Sequence, residues 1–230
     1  MEGLKLEKVS ETLSVYQKSG VFCYGTDAVL LVKAVLGHYK SLNGKKMCDL
    51  CSGTGIIPLM ICDADSRITA CAVEINKEAC QISKMSADIS GLSQRIDFYN
   101  DDIKNIKALF PSESFDFVTC NPPYMTATSG RMCDADYKTI ARHEIFCNID
   151  DVFKAAFYLL KTGGSFFAVY RSDRLSSLFS AAEKNRFQIK EMFSFISSDT
   201  PALSKLVVVR AAKDAKEGLK HHIYKTEQFI

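Results

Sequence analysis

From Lys46 onward, apolar positions fall alternately into short continuous runs and into helical spacing. Met47–Cys51 reads as a strand, Gly55–Cys62 as a helix, Ile68–Glu74 as a second strand, and Lys77–Leu92 as a second helix with Asn76 placed to cap it. Short apolar runs recur at Ile96–Tyr99 and Phe115–Cys120. A helix from Asp151 to Lys161 is closed by Gly163-Gly164, the strand Ser165–Tyr170 follows, and a last helix spans Asp173–Asn185. Two final strands, Phe187–Phe195 and Leu203–Ala211, are joined by a short polar stretch holding Pro201, which suits an antiparallel pair better than another crossover. Ahead of the first strand, Thr26 can cap a helix carrying Val29, Leu30, Val32, Val35 and Leu36, with Gly37 as its stop. The pattern predicts an α/β fold: a doubly wound, Rossmann-like sheet with an antiparallel end.

Between Asn121 and Asp150 neither period holds. An aperiodic stretch of that length, directly after the C-terminal end of a strand where open α/β sheets bind ligands, reads as a substrate-binding loop; a disordered insert is the alternative. No repeat or Pro/Gly/Ser-rich linker divides the chain, so residues 1–230 are expected to form a single domain, with 1–44 as a helical lead-in and 121–150 as the substrate loop.

Composition then removes several function classes. An apolar share of 47% with 24% charged residues is that of a folded soluble domain. No apolar run approaches the ~20 residues of a membrane helix, and the start of the chain lacks a charged-then-apolar leader, so a cytoplasmic protein with no membrane partner is expected. Nine cysteines, an odd number scattered through strands and helices, point to reduced thiols. Cys48 and Cys51 form a C-x-x-C, but no second pair follows at zinc spacing, so both are expected in the core and no metal is predicted. A net charge of +2 gives little long-range pull on nucleic acid. Any such binding has to use local patches, for which Lys5, Lys8 and Lys18 or the C-terminal set Lys213, Lys216, Lys220, His221 and His222 are candidates; ordinary solvated faces explain them as well.

The candidate chemistry lies at strand ends. Asp49-Leu50-Cys51-Ser52-Gly53-Thr54-Gly55 connects the first strand to the first crossover helix, and its glycines let the backbone approach a ligand closely. Pro58 stands where a dinucleotide fingerprint has its third glycine, which argues against a nicotinamide cofactor. Glu74, ending the second strand, can accept hydrogen bonds from both hydroxyls of an adenosine ribose, and Asp101-Asp102 after the third strand offers a carboxylate to an adenine amino group. After the fourth strand comes Asn121-Pro122-Pro123-Tyr124. Two prolines fix the backbone, so the Asn121 amide oxygen and the Pro122 carbonyl can both accept from one NH₂ group, while Tyr124 offers an aromatic face to a planar partner. Such a grip suits a conjugated amino group, whose delocalised lone pair makes it a poor nucleophile until it is positioned and pyramidalised.

The glycine loop followed by an acid at each strand end resembles the class I S-adenosylmethionine methyltransferases. The resemblance implies a seven-stranded sheet with the last strand antiparallel, S-adenosyl-L-methionine as cofactor, the Asp49–Gly55 loop (Asp49, Cys51, Gly53, Gly55) against its methionine part, Glu74 at the ribose and Asp102 at the adenine. Asn-Pro-Pro-Tyr is the hallmark of the amino methyltransferases among them. More narrowly, Gln17–Leu31 (QKSGVFCYGTDAVLL), Asn121–Tyr124 and Ala141-Arg142-His143-Glu144 make nearly the whole chain similar to the bacterial tRNA adenine-N6 methyltransferases that act beside the anticodon of valine tRNA. That likeness implies a tRNA partner, Tyr24, Thr26 and Asp27 over the cofactor, and Pro123, Arg142 and His143 about the target nucleotide. A capped helix start and a loop salt bridge explain these residues equally well. Glutamine-N5 methylation of protein and guanine-N2 methylation of rRNA share the chemistry. The former enzymes usually carry an extra N-terminal helical domain, for which residues 1–48 leave little room. A catalytically silent RNA-binding module is the non-enzyme alternative, and a monomer is the default assembly.

Overall fold

A computed structural model describes residues 3–18, 24–122, 148–197 and 200–229. The chain opens with an antiparallel hairpin, β1 (Leu4–Lys8) and β2 (Ser14–Lys18). There follow α1 (Thr26–His38), β3 (Lys46–Leu50), α2 (Ile56–Ala64), β4 (Thr69–Glu74), α3 (Lys77–Ile89), β5 (Ile96–Asn100), a 3₁₀ turn at Ile103–Asn105, α4 (Ile106–Leu109) and β6 (Phe115–Cys120). The remainder comprises α5 (Ile149–Leu159), β7 (Leu160–Arg171), α6 (Leu175–Lys184), β8 (Phe187–Ser197), β9 (Thr200–Lys213), β10 (Lys220–Lys225) and α7 (Thr226–Phe229).

The main sheet has eight strands in the order β10-β8-β9-β7-β6-β3-β4-β5. Pairings from β5 through β7 are parallel, β9 runs antiparallel to both of its neighbours, and β10 is parallel to β8. The central strands are apolar almost throughout because helices cover both faces. Met47, Ala72, Phe117, Phe167 and Val208 turn toward α1, α2 and α3, while Cys48, Val73, Val118, Phe166 and Val209 turn toward α4, α5 and α6. The hairpin lies on the first of these layers. Ser10 and Thr12 donate to the Asp63 carboxylate of α2 at 2.8 and 2.6 Å, and the Tyr16 amide donates to Ser86 of α3 at 2.9 Å.

The doubly wound sheet with one reversed strand is as the sequence pattern predicts; several local expectations are corrected. The sheet gains an eighth strand, β10, from residues read as part of a basic tail, and the lead-in expected to be helical includes the hairpin. Thr26 is not the cap of α1: Gly25 holds that position in extended geometry, with no side-chain cap, and the helix runs past Gly37 to His38. Helix α5 starts earlier than expected, where Asn148 and Asp151 form a reciprocal capping box. It gives way directly to β7, so Gly163 and Gly164 lie within a strand instead of closing a helix. Pro201 falls inside β9, near its start, where a missing N–H is tolerated.

Candidate active site

At the C-terminal ends of β3, β4, β5 and β6 the strand register brings a row of polar side chains together. Asp49 pairs in register with Thr119, and Glu74 with Asn100. Asn121 lies two residues beyond Thr119, which by strand alternation keeps it on the same face. The Asn100 amide donates to the carbonyls of Glu74 and Ile75 at 2.9 Å each, which fixes the spacing of β4 and β5 where the acids begin.

The glycine loop is tight and braced from behind. Cys51, Gly53 and Gly55 all have positive φ, at 55°, 55° and 77°. A Cβ on Gly55 would sit 2.8 Å from Phe98 Cε1 and 2.9 Å from Ser83 Cβ, closer than real Cβ contacts come. Ser83 Oγ donates to the Gly53 carbonyl at 3.1 Å. Glu74, almost wholly buried, accepts from the Gly53 amide on Oε2 and from the Asn76 amide on Oε1, both at 2.8 Å. The acid expected at the ribose therefore also holds the glycine loop, and a carboxylate's lone pairs allow both duties.

Asp49 is completely buried. Burial pushes its carboxyl up to about 8; the hydrogen bond from Thr119, at 2.5 Å to Oδ1, pulls the other way, and the nearby Glu74 charge raises it further. Its Oδ2 and the buried Oγ of Ser52 have no hydrogen-bond partner among the described residues. Buried polar atoms are rarely left so, and two orphans beside a glycine loop with positive φ fit a polar ligand laid along that loop, as S-adenosylmethionine would be.

The first turn of α1 meets the end of β6: the Asn121 amide nitrogen donates to Asp27 Oδ2 at 2.8 Å, and Pro122 is buried. Tyr24 turns back to the hairpin, where its hydroxyl donates to Glu7 at 2.7 Å; burial and that carboxylate raise its pKa. Thr26 is exposed as the first residue of α1. Asp102 caps the 3₁₀ turn through Oδ1, and Asp101 Oδ1 accepts from the Asp102 amide and the Asn105 side chain. Pro123, Tyr124, Arg142 and His143 lie outside the described residues.

Among the described residues six cysteines are reduced, and burial pushes Cys71 up to about 11, Cys62 up to about 12 and Cys48 well above its ordinary value, which disfavours thiolate at these three. Cys51, whose left-handed backbone ends the strand, packs against the same core as Cys48. Among the described residues no cluster of metal-ligating side chains occurs and no helix is long and apolar enough to cross a membrane. A groove of about 730 Å³ lies on the other face, against α4, α5 and α6; most of its cations are paired, as in Lys104–Asp151, Lys154–Asp150 and Lys213–Glu113.

The model of the methyltransferase small domain fits residues 12–187, the stretch that holds the bent glycine loop, the acids Glu74 and Asp101-Asp102, and the Asn121-Pro122 step. The chain belongs to that family. Its cofactor is S-adenosylmethionine. The chain is 28% identical over 230 residues to a tRNA1(Val) (adenine(37)-N6)-methyltransferase of Phocaeicola vulgatus, covering 94% of this chain and 91% of the relative. It is 33% identical over 113 residues to the release factor glutamine methyltransferase of Clostridium acetobutylicum, a match that spans 49% of this chain and only 39% of that enzyme. In fold it is similar to a predicted O-methyltransferase from Agrobacterium tumefaciens, with a TM-score of 0.68, 19% identity and 86% of each chain covered. It is also similar to the Thermus thermophilus 16S rRNA N2 G1207 methyltransferase in complex with AdoMet and guanosine, with a TM-score of 0.62, 18% identity, and 91% of this chain and 50% of that one covered.

Sequence reasoning named Asp49, Glu74 and Asn121 but missed the partners that set them: Thr119, Ser83, Asn100 and the contact from Asp27 to Asn121. Only strand parity hinted at Thr119, two residues before Asn121. The other partnerships join residues far apart in the chain.

Proposed function

We propose that this chain methylates adenine N6 in tRNA, at a nucleotide beside the anticodon. The observation that carries the reading is the placement of Asn121-Pro122 at the end of β6, beside the start of the glycine loop through the β3–β6 register and held from α1. Asp49, Cys51, Gly53 and Gly55 would take the methionine part of the cofactor, with Tyr24, Thr26 and Asp27 on its other side; Glu74 would take the ribose and Asp102 the adenine. When bound, S-adenosylmethionine supplies an electrophilic methyl group on a sulfonium sulfur. The chain's own work is positioning. Asn121 Oδ1 and the Pro122 carbonyl accept the two hydrogens of the target amino group, which pyramidalises the nitrogen and exposes its lone pair. Tyr124 stacks on the base, and Pro123, Arg142 and His143 hold the nucleotide in place. No general base is required, since the proton leaves after the nitrogen has become positively charged. The relative matched over nearly the full chain, named for this reaction, supports the target, and a tRNA substrate places the protein in the cytoplasm.

Protein glutamine N5 is the second reading. A carboxamide is also flat and conjugated and offers the same pair of hydrogens, and the release factor enzyme matches at higher identity, though over a smaller share of its length. One experiment separates the two: purified protein is incubated with labelled S-adenosylmethionine and with total RNA and protein from a strain lacking the gene. N6-methyladenosine appearing in tRNA by nucleoside mass spectrometry is the expected result. Label found only on protein glutamine would replace the target.

A further inference from the structure

We infer that Asp27 is a positioning residue that sets which end of the Asn121 side-chain amide faces the target. The inference rests on the proposed role of Asn121 as an acceptor for the target's amino hydrogens, and it concerns how that acceptor is made. An asparagine amide has a donor end and an acceptor end of nearly equal shape, and a half-turn about its last bond exchanges them. Only the acceptor end can hold an NH₂ group. Presented the other way, the amide would set its own N–H groups against those of the substrate.

The geometry removes the ambiguity. Asn121 Nδ2 lies 2.8 Å from Asp27 Oδ2. An ionised carboxylate can only accept, so the amide must turn its nitrogen to Asp27 and its oxygen away. Asp27 is itself oriented: its Oδ1 accepts from the Ala28 amide at 2.9 Å. It also stands in the first turn of α1, a thirteen-residue helix, where the helix dipole favours negative charge. The carboxylate thus arrives at Asn121 across 94 residues of sequence with one oxygen anchored and the other aimed. Asp27→Asn keeps the shape but undoes the choice: with the new amide's oxygen taken by Ala28, its nitrogen faces Asn121, which then turns its own oxygen inward and its N–H groups outward.

The test uses the full-length protein as wild type, Asp27→Asn, Asn121→Ala and the double variant, with S-adenosylmethionine and whichever amino acceptor the assay above identifies. Asp27→Asn is expected to lower kcat at saturating cofactor about a hundredfold, beyond any change in cofactor Kd read by calorimetry, and to cost nothing further in kcat in the Asn121→Ala background. Wild-type kcat in Asp27→Asn, or a loss that adds fully in the double variant, overturns the inference. So does a weakened cofactor with kcat at saturation retained, which would confine Asp27 to its cofactor contact. A second readout needs no turnover. In nuclear magnetic resonance spectra of protein labelled at asparagine side-chain nitrogen, the Asn121 Nδ2 protons should exchange slowly with water and become fast in Asp27→Ala; fast exchange in the wild type overturns the clamp. Absence of methyl transfer to either acceptor would instead count against the proposed function, with the clamp still judged on the amide signal.

Discussion

At Gly55 one methyl group is enough to disturb the site. The backbone there is left-handed and the space a Cβ would need is filled by Phe98 and Ser83. Gly55→Ala should lower stability by about 1–3 kcal/mol from backbone strain and weaken cofactor binding more than turnover at saturation; denaturant unfolding and calorimetry read the two effects. Asp49 makes a different prediction. Its folded pKa, about 8, lies above the ordinary carboxylate value of 3.8. Its contribution to stability is therefore complete below pH 3.8 and is lost as pH rises toward 8, because unfolding releases the proton. Asp49→Asn, which needs no proton, should gain in Tm relative to the wild type as pH goes from 5 to 8, and a constant difference would refute the assignment. At this scale the sequence showed which residue types matter but not their settings. Asp49 was legible as part of a loop, yet the pKa arises from burial and from Thr119 and Glu74, which no local pattern brings near.

Among the elements, strands were legible where they are buried on both faces and illegible where they are not. The runs at Phe115–Cys120 and Ser165–Tyr170 announce themselves because most of their residues are apolar and meet one of two cores. β10 does not, since only His222 and Tyr224 turn inward, stacked on Phe193 and Phe195, while Ile223 stays 63% exposed. β1 is mostly exposed too. Helix ends were misplaced wherever tertiary contact overrode a glycine. Helix α1 passes Gly37 because His38 is held on the far side, 3.2 Å from Glu191 and against the ring of Phe167. The capping box at Asn148 is a local signal and makes a local prediction: Asn148→Ala should cost about 1 kcal/mol, seen as a fall in Tm, with amide exchange fastest in the first turn of α5.

For the molecule as a whole, β10 is the outer strand that shields β8. Phe193 and Phe195 are 9% and 4% exposed with it in place. Removing residues 219–230 should uncover both rings and turn β8 into an edge with unpaired backbone groups, which invites pairing with another chain. The expected outcome is a lower Tm with concentration-dependent association in sedimentation; wild-type behaviour in both would show that β10 contributes little. The global architecture was readable because alternating strands and helices admit few topologies, whereas the outer strand and hairpin had to be seen.

The reversed strand β9 also sets an order of events during synthesis. It fills the slot between β7 and β8, which precede it in the chain and never pair with each other. While the ribosome is still delivering residues up to Lys213, β7 presents an open edge rich in Phe and Val, and β8 has nothing to join. The nascent chain must therefore carry a sticky half-sheet until nearly the last of the strand-forming sequence emerges. It is in that interval that a chaperone would matter most.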